Sequence, residues 1–505
     1  MSNEKSKLAL FFLLLLVFVT AAAEDAVSPR GCRLGTPRPH SQLLRRSTAQ
    51  TRQPGGDFYQ GNRHQLVVLA AFADRQFKGN ETATLEQWNK IFNTENYAEG
   101  SFRGSIHDYF YAQSYGKFNL TFDLVYVTVG NVVKYRSWDK DYGDAVADDE
   151  NSQYLVQDIM EQLKQKTDID WSRYDWNGDG YVNQFLIVYP GKGMNDGGGR
   201  NSIWPHQWWM GEHLKDRQSG VYCDPIAVTY GQKQYLVDCY CALSELGNAG
   251  DYSSFGVICH EYTHCFGFPD FYYDDNSKTP HDWDIMDHGY YYDRAYCPVS
   301  YSAHERWLMG WLTPTPLTSA SSVTSMPALS DQPVAYIIRN DGYEQEFYMV
   351  ENRQKSGWDA QLPGSGLVVF HVDFDADTWT GVSGAWPNPG TNDRYFIFAA
   401  NNTPYYSSNS GWPYPYSGNN ELTNTSSPAA TLNKANTDGT KLMSKPITNI
   451  QVTSGLASFD FMGGGPSSVT PPSTLLTSPS TILYDIGPVR IVRMSNGEIK
   501  KVMKR

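Results

Sequence analysis

Positive charge is in short supply in this chain. Across 505 residues, 41 lysines and arginines face 54 aspartates and glutamates, a formal net charge of −13. Such a surface repels nucleic acid rather than binding it. Long apolar runs are scarcer still. The stretch from Leu8 to Val19 is short for a bilayer span. Lys5 and Lys7 precede it and Ala21-Ala22-Ala23 follow, so it reads as a secretory signal peptide over residues 1–23. No later segment is long and apolar enough to span a membrane once that signal is cleaved. Cysteine is sparse, at positions 32, 223, 239, 241, 259, 265 and 297. In an oxidising compartment six of these seven can pair, with one left over, and spacing does not give the connectivity. Cys239 and Cys241 are too close to pair readily with each other. The glycine-rich loop from Gly191 to Arg200 has no Lys-Ser/Thr after Gly197-Gly198-Gly199, which argues against a phosphate loop and for flexibility.

What the chain has in quantity is aromatic: 14% of residues, with 34 tyrosines. That richness fits a β-containing fold better than a helical bundle. Residues 24–60 are interrupted by Pro29, Pro37, Pro39 and Pro54 and carry Arg45-Arg46, an easy target for a trypsin-like processing enzyme, so they read as a prosegment. The continuous apolar run Gln65 to Phe72 predicts a buried strand. Helical spacing runs from Glu86 to Phe92, and Gly104 to Gly116 reads as a helix stopped by glycine. Phe118 to Val129 alternates as a strand does. Ser152 to Lys164 is amphipathic, with Leu155, Ile159 and Leu163 on one face. A further strand is expected from Gln184 to Tyr189, and a helix from Ser302 to Gly310.

One stretch carries recognisable chemistry: Gly256-Val-Ile-Cys-His260-Glu261-Tyr-Thr-His264-Cys-Phe-Gly267-Phe-Pro-Asp270. Two histidines four apart lie one helical turn above each other, and two neutral imidazoles at that spacing can grip one zinc ion. Glu261 then stands beside the metal, placed to take a proton from a zinc-bound water. Ser253 and Ser254 are expected N-caps. Gly267 tolerates the sharp turn that stops the helix and brings Asp270 back as a third, oxygen ligand. Asp274 is a rival for that place. Met286 follows in Trp283-Asp-Ile-Met286. The extended pattern H-E-x-x-H-x-x-G-x-x-D with a downstream methionine resembles the metzincin zinc peptidases, in which a methionine turn lies under the metal. Their usual third ligand is histidine. Aspartate adds negative charge, so zinc polarises its water less here than with three histidines.

A second metal pattern is Asp175-Trp-Asn177-Gly-Asp179-Gly-Tyr181-Val-Asn183. Oxygen donors at alternate positions with glycine at the sixth are how a short loop wraps calcium. The glutamate that completes an EF-hand is missing; Leu186 stands at the twelfth position. The structural alternative is an Asn/Asp/Gly turn before a strand. His206, in Ile203-Trp-Pro-His206, reads as a hydrogen-bonded core residue. In the segment 24–60, Pro29-Arg30-Gly31-Cys32 offers a thiolate that can occupy zinc's open position and keep a precursor latent.

Taken in order, the segment from Ser105 to Gly116, Tyr174 to Tyr181, Ile203-Trp-Pro-His206, the zinc motif, Trp283 to Met286, Gly310-Trp-Leu312, Glu351-Asn-Arg353-Gln and Leu362 to Leu367 resemble the M6 metallopeptidases, the immune inhibitor A type. The resemblance covers roughly residues 60–375. It implies a secreted zinc endopeptidase with structural calcium. The fold class expected is α+β: a zincin-like catalytic domain, with a mixed sheet and the zinc helix, over 61–315, followed by a β-sandwich-like domain over 316–463. Short β runs at 335–339, 346–350, 366–372, 394–398 and 457–461 support the latter. A Ser/Thr/Pro linker then spans 464–479. The end, 480–505, is a hairpin around Asn496-Gly497 and resembles the short sorting tails of bacterial secretion systems.

The reading is therefore a secreted or cell-surface, monomeric zinc metalloendopeptidase acting on proteins or peptides. Its rival is a secreted adhesion or carbohydrate-binding protein with an inactive peptidase domain. The intact glutamate between intact histidines argues against the rival, because a dead site has no need of a base.

Overall fold

The computed structural model describes residues 58–137, 151–166, 168–210, 224–272, 277–379, 386–404 and 406–465, with the backbone of strands at 468–469, 481–486, 489–493 and 499–503. The signal segment, nearly all of residues 24–60 with Cys32, and Cys223 and Asp274 lie outside the described residues. Several sheets and few helices make up the rest, the mixed α and β content implied by the sequence.

The first sheet has five strands. Phe118–Val129, Gly61–Phe72, Phe185–Lys192 and Cys239–Leu246 run parallel in that spatial order, and His206–Trp209 closes one edge antiparallel. The run 65–72 is continuously apolar because this strand is central and covered on both faces. Alternation sorts its side chains. Val67, Leu69 and Ala71 join one apolar cluster, while Leu66, Val68, Ala70 and Phe72 join another. The second cluster is capped by the helix Ser152–Leu163, which buries Leu155, Val156, Ile159, Met160 and Leu163. The first is capped by the helices Glu81–Asn93, Ile106–Gln113 and Phe255–Cys265. Ser105 starts the second of these with a reciprocal capping box to Asp108. The strand Gly61–Phe72 begins four residues earlier than its apolar run, because Gly61 to His64 pair in register with Phe118 to Thr121.

A second five-stranded sheet follows, ordered Tyr395–Ile397, Gly366–Asp373, Tyr343–Arg353, Tyr336–Asn340 and Thr315–Pro316. It too is buried on both faces. Ile337, Phe347, Met349, Val368 and Phe370 share the cluster that surrounds the helix Phe255–Cys265. Tyr336, Ile338, Tyr348, Val350 and Val369 share another with Val323, Ile447, Ala457 and Phe459 of a four-stranded sheet. That sheet includes Ser468–Val469, paired parallel with Ser322 and Val323. Near the end of the chain the expected hairpin is present, 489–493 pairing antiparallel with 499–503, and 481–486 adds a third strand beside it. The added strand precedes the turn at Ile486 and was hidden by the Ser/Thr/Pro composition before it.

The five described cysteines, Cys239, Cys241, Cys259, Cys265 and Cys297, are all buried. No disulfide joins any two of them. Four of the five pack inside the apolar cluster around the sheet, as small hydrophobes do. Burial holds the Cys259 thiol well above its ordinary value.

Candidate metal centre

The helix Phe255–Cys265 is buried along its whole length. Its start differs from expectation. Ser254 occupies the N-cap position, but its hydroxyl donates to the carbonyl of Glu245 at 3.1 Å instead of capping the helix. The helix is held by packing. Gly256 lets it approach the following loop: its N–H donates to Ala295 O at 2.7 Å, and a Cβ there would lie 2.0 Å from the carbonyl oxygen of Tyr290. At the other end Gly267 takes φ +93°, its N–H bonded to His264 O. This is the left-handed turn that only glycine adopts cheaply, and it delivers Asp270 back to the histidines.

His260, His264 and Asp270 converge. The Nε2 atoms of both histidines lie 3.3 Å from Oδ1 of Asp270, and all three side chains are essentially inaccessible. These three form a group whose ligand atoms lie within 4.8 Å of one another. The spacing is informative. Metal–ligand lengths of about 2.0–2.2 Å around a tetrahedral zinc put neighbouring ligand atoms about 3.3–3.6 Å apart. Neither Nε2 nor either oxygen of Asp270 has a hydrogen-bond partner, although all are buried. Buried polar atoms are normally paired, so an unpaired convergent set fits a cation.

The opposite ring nitrogens are committed. Nδ1 of His260 lies 2.6 Å from Ile285 O and Nδ1 of His264 lies 2.7 Å from Phe268 O. Each Nδ1–H donates to a carbonyl, which leaves the Nε2 lone pair facing Asp270. Burial alone would lower the pKa of His264, but the Asp270 carboxylate overrides it and lifts the imidazole to about 9. Asp270 is held below its ordinary value by the same two histidines, against the effect of burial. A proton on His264 and a cation thus compete for the same pocket. Glu261, fully buried on the next position of the helix, adds negative potential at His264.

Met286 is fully buried in the same apolar cluster. Its N–H is fixed by Asp284 Oδ1 at 2.8 Å, and its carbonyl accepts from Phe271 N at 2.9 Å. Tyr290, which the sequence pattern did not single out, packs its ring 4.3 Å from that of His260. The run Tyr290-Tyr291-Tyr292 has no periodicity to mark one member. Behind this loop, Arg353 of the second sheet clasps Asp359 with two bonds of 2.9 Å, meets Glu351 Oε1 at 3.1 Å and donates to the carbonyls of Trp283 and Ser300.

Elsewhere, the residues of the calcium pattern do come together. Asn177 Nδ2 bonds Asp179 Oδ2, and Asp175 Oδ2 accepts from Gly180 N at 3.1 Å and from the ammonium of Lys233 at 3.2 Å. Asp175 Oδ1 is buried without a partner, while the Oδ1 of Asn183 is taken by Trp176 N. Tyr181 opens a short strand. Lys233 thus already neutralises one oxygen of Asp175. His206 lies in the core, with its ring nitrogens at Trp204 O and Tyr240 Oη.

Residues 60–308 match the family model described as immune inhibitor A peptidase M6, catalytic domain. Residues 60–308 therefore carry an M6-type peptidase domain. The matched span contains His260, Glu261, His264, Asp270 and Met286. Immune inhibitor A of Bacillus thuringiensis subsp. alesti is 28% identical over 268 residues, 44% of this chain and 36% of that protein. The chain spans little more than a third of the length of the curated relative it matches.

Proposed function

We propose that this chain is a secreted zinc endopeptidase that cleaves protein or peptide substrates as a monomer. His260, His264 and Asp270 hold the metal. The observation that carries this reading is the pair of 3.3 Å separations between Asp270 Oδ1 and the two Nε2 atoms. Zinc bound there supplies Lewis acidity, making water nucleophilic near neutral pH and polarising a carbonyl. Glu261 accepts the proton of the attacking water and returns it to the leaving amine. The Nδ1–H bonds to Ile285 and Phe268 keep both imidazoles aimed, and Met286 fills the floor without touching substrate. A zincin-like domain over 61–315 and a β-sandwich-like domain over 316–463 are the architecture this reading entails, with residues 24–60 removed on activation and Cys32 as their latency thiol.

The unpaired oxygen of Asp175 supports a structural calcium held with Asn177, Asp179, Tyr181 and Asn183, which has to displace Lys233 to bind. Metal analysis of the secreted protein tests the main reading when joined to a casein cleavage assay. One zinc per chain and cleavage abolished by a chelator and restored by zinc are expected. A zinc-free protein that still cleaves, or a zinc-loaded one that never does, contradicts it.

A further inference from the structure

The loop carrying Met286 also carries His288, whose neighbours belong to the segments that leave the metal centre. Phe271 N donates to Met286 O at 2.9 Å, so the segment leaving Asp270 runs beside the one leaving Met286. One residue past Phe271, the ring of Tyr272 meets the ring of His288 edge-on at 5.9 Å. Two residues past His288, Tyr290 packs on His260. His288 is thus bracketed by groups belonging to the two arms of the pocket.

Its own setting is built. Nδ1 of His288 lies 2.6 Å from Oδ1 of Asp287, and that carboxylate is fully buried. The second oxygen of Asp287 accepts from His281 N at 2.7 Å, so the carboxylate is fixed at both ends. The ring of His281 stacks on that of His288 at 4.3 Å and 11°. Asp287 commits Nδ1 as a donor and leaves Nε2 as the outward nitrogen. The side chain is 36% exposed, and no described residue pairs with that Nε2. With its Nδ1–H given to this buried acid, the half-exposed ring presents an N–H at Nε2 in its imidazolium form.

We infer that His288 is a second catalytic residue of the proposed peptidase site: its Nε2–H donates to the carbonyl oxygen of the peptide bond under attack and stabilises the negative charge that develops there. Asp287 is its positioning residue. This rests on the peptidase reading above and adds to it a donor from the chain itself, the kind of group that contributes most when charge appears in a water-poor site. The charges facing His288 agree. Burial lowers its pKa, but the bond to Asp287 and the charges of Asp287, Asp282 and Asp270 raise it above the ordinary 6.5, with His281 the stacked titratable neighbour and Tyr272 the ring at the edge. The buried Asp287 carboxylate thus favours the imidazolium, the form in which Nε2 carries its proton.

The test uses the full zinc-loaded chain and a fluorogenic peptide, with wild type, Glu261→Gln, His288→Phe and His288→Gln assayed together. His288→Phe keeps the stack on His281 and removes the donor; His288→Gln restores an N–H. Expected is a loss of about 10²–10³ in kcat for His288→Phe with KM within threefold and zinc content unchanged. His288→Gln is expected to recover at least tenfold of that loss. If wild type cleaves, Glu261→Gln does not, and His288→Phe keeps kcat within threefold of wild type, His288 has no such role while the peptidase reading stands. A folded His288→Gln as inactive as His288→Phe also overturns the donor role. If His288→Phe fails to fold, His288→Gln decides alone: a kcat between threefold and a hundredfold below wild type supports the role, and a kcat closer to wild type or a deeper loss overturns it. If zinc-loaded wild type cleaves nothing, both readings fall together.

Discussion

Nδ1 of His260 lies 2.6 Å from the carbonyl oxygen of Ile285, the residue before Met286. One histidine is thus oriented by the backbone of the methionine loop, so the packing of that loop sets how well the pocket is formed. Met286→Ala opens a cavity in a fully buried cluster and is expected to cost about 2–5 kcal/mol. Because the loop then relaxes, zinc affinity is expected to weaken about 10–100-fold as well. Met286→Leu keeps the volume and should cost under about 1.5 kcal/mol. Thermal melts and chelator competition on the two variants check both numbers.

Arg353 fastens the second sheet to this loop. Its guanidinium is fully buried and joins Asp359, Glu351 and the carbonyls of Trp283 and Ser300, while Glu351 Oε2 accepts from Ala303 N at 2.6 Å. Removing one partner of a buried charge network leaves the others unpaired, so Arg353→Met is expected to lower stability by about 3–5 kcal/mol. Denaturant unfolding measures it. A shift under about 1 kcal/mol would show that the network does not hold the two parts together.

The pH response of the metal-free protein follows from His264 and Asp270. Against the effect of burial, the Asp270 carboxylate lifts the His264 imidazole in the folded chain from its ordinary 6.5 to about 9. A raised histidine contributes fully below its unfolded value and loses that contribution as pH rises toward 9. Asp270 is depressed below 3.8, so its contribution is present above that value and is lost as pH falls through the lower folded one. The pair therefore supports the metal-free fold best between pH of about 4 and 6.5. Zinc competes with the His264 proton, so apparent zinc affinity should climb by up to about tenfold per pH unit from 6.5 to 9. Melts with and without zinc at pH 6 and pH 9 check this; a zinc-induced rise in Tm that is no larger at pH 9 than at pH 6 contradicts it.

The candidate site was legible where its chemistry is local. His260 and His264 share a helix face, Gly267 marks the turn, and Asp270 follows within three residues, so spacing alone brings the three together. The strands 65–72 and 118–129 were legible as an apolar run and an alternating one. The strand Cys239–Leu246 was not. Its sequence, Cys-Tyr-Cys-Ala-Leu-Ser-Glu-Leu, lacks β-branched residues, and its buried Glu245 looks out of place until Lys78 N and Gly191 N are seen donating to it at 3.0 and 2.9 Å. The Arg353 cluster was hidden for another reason. Its bonds to Trp283 and Ser300 span 70 and 53 residues, and no local pattern reports such a partnership. Asp287-His288 was a plain dipeptide until the fold set it beside Tyr272.

The most direct measurement pairs zinc stoichiometry with casein hydrolysis for wild type and Glu261→Ala. Glu261 is buried next to His260 but is not among the three clustered ligand residues. The account predicts that Glu261→Ala still folds and binds one zinc, while its hydrolysis rate falls by several orders of magnitude. A zinc-loaded Glu261→Ala that hydrolyses casein at a rate near wild type would contradict the central claim.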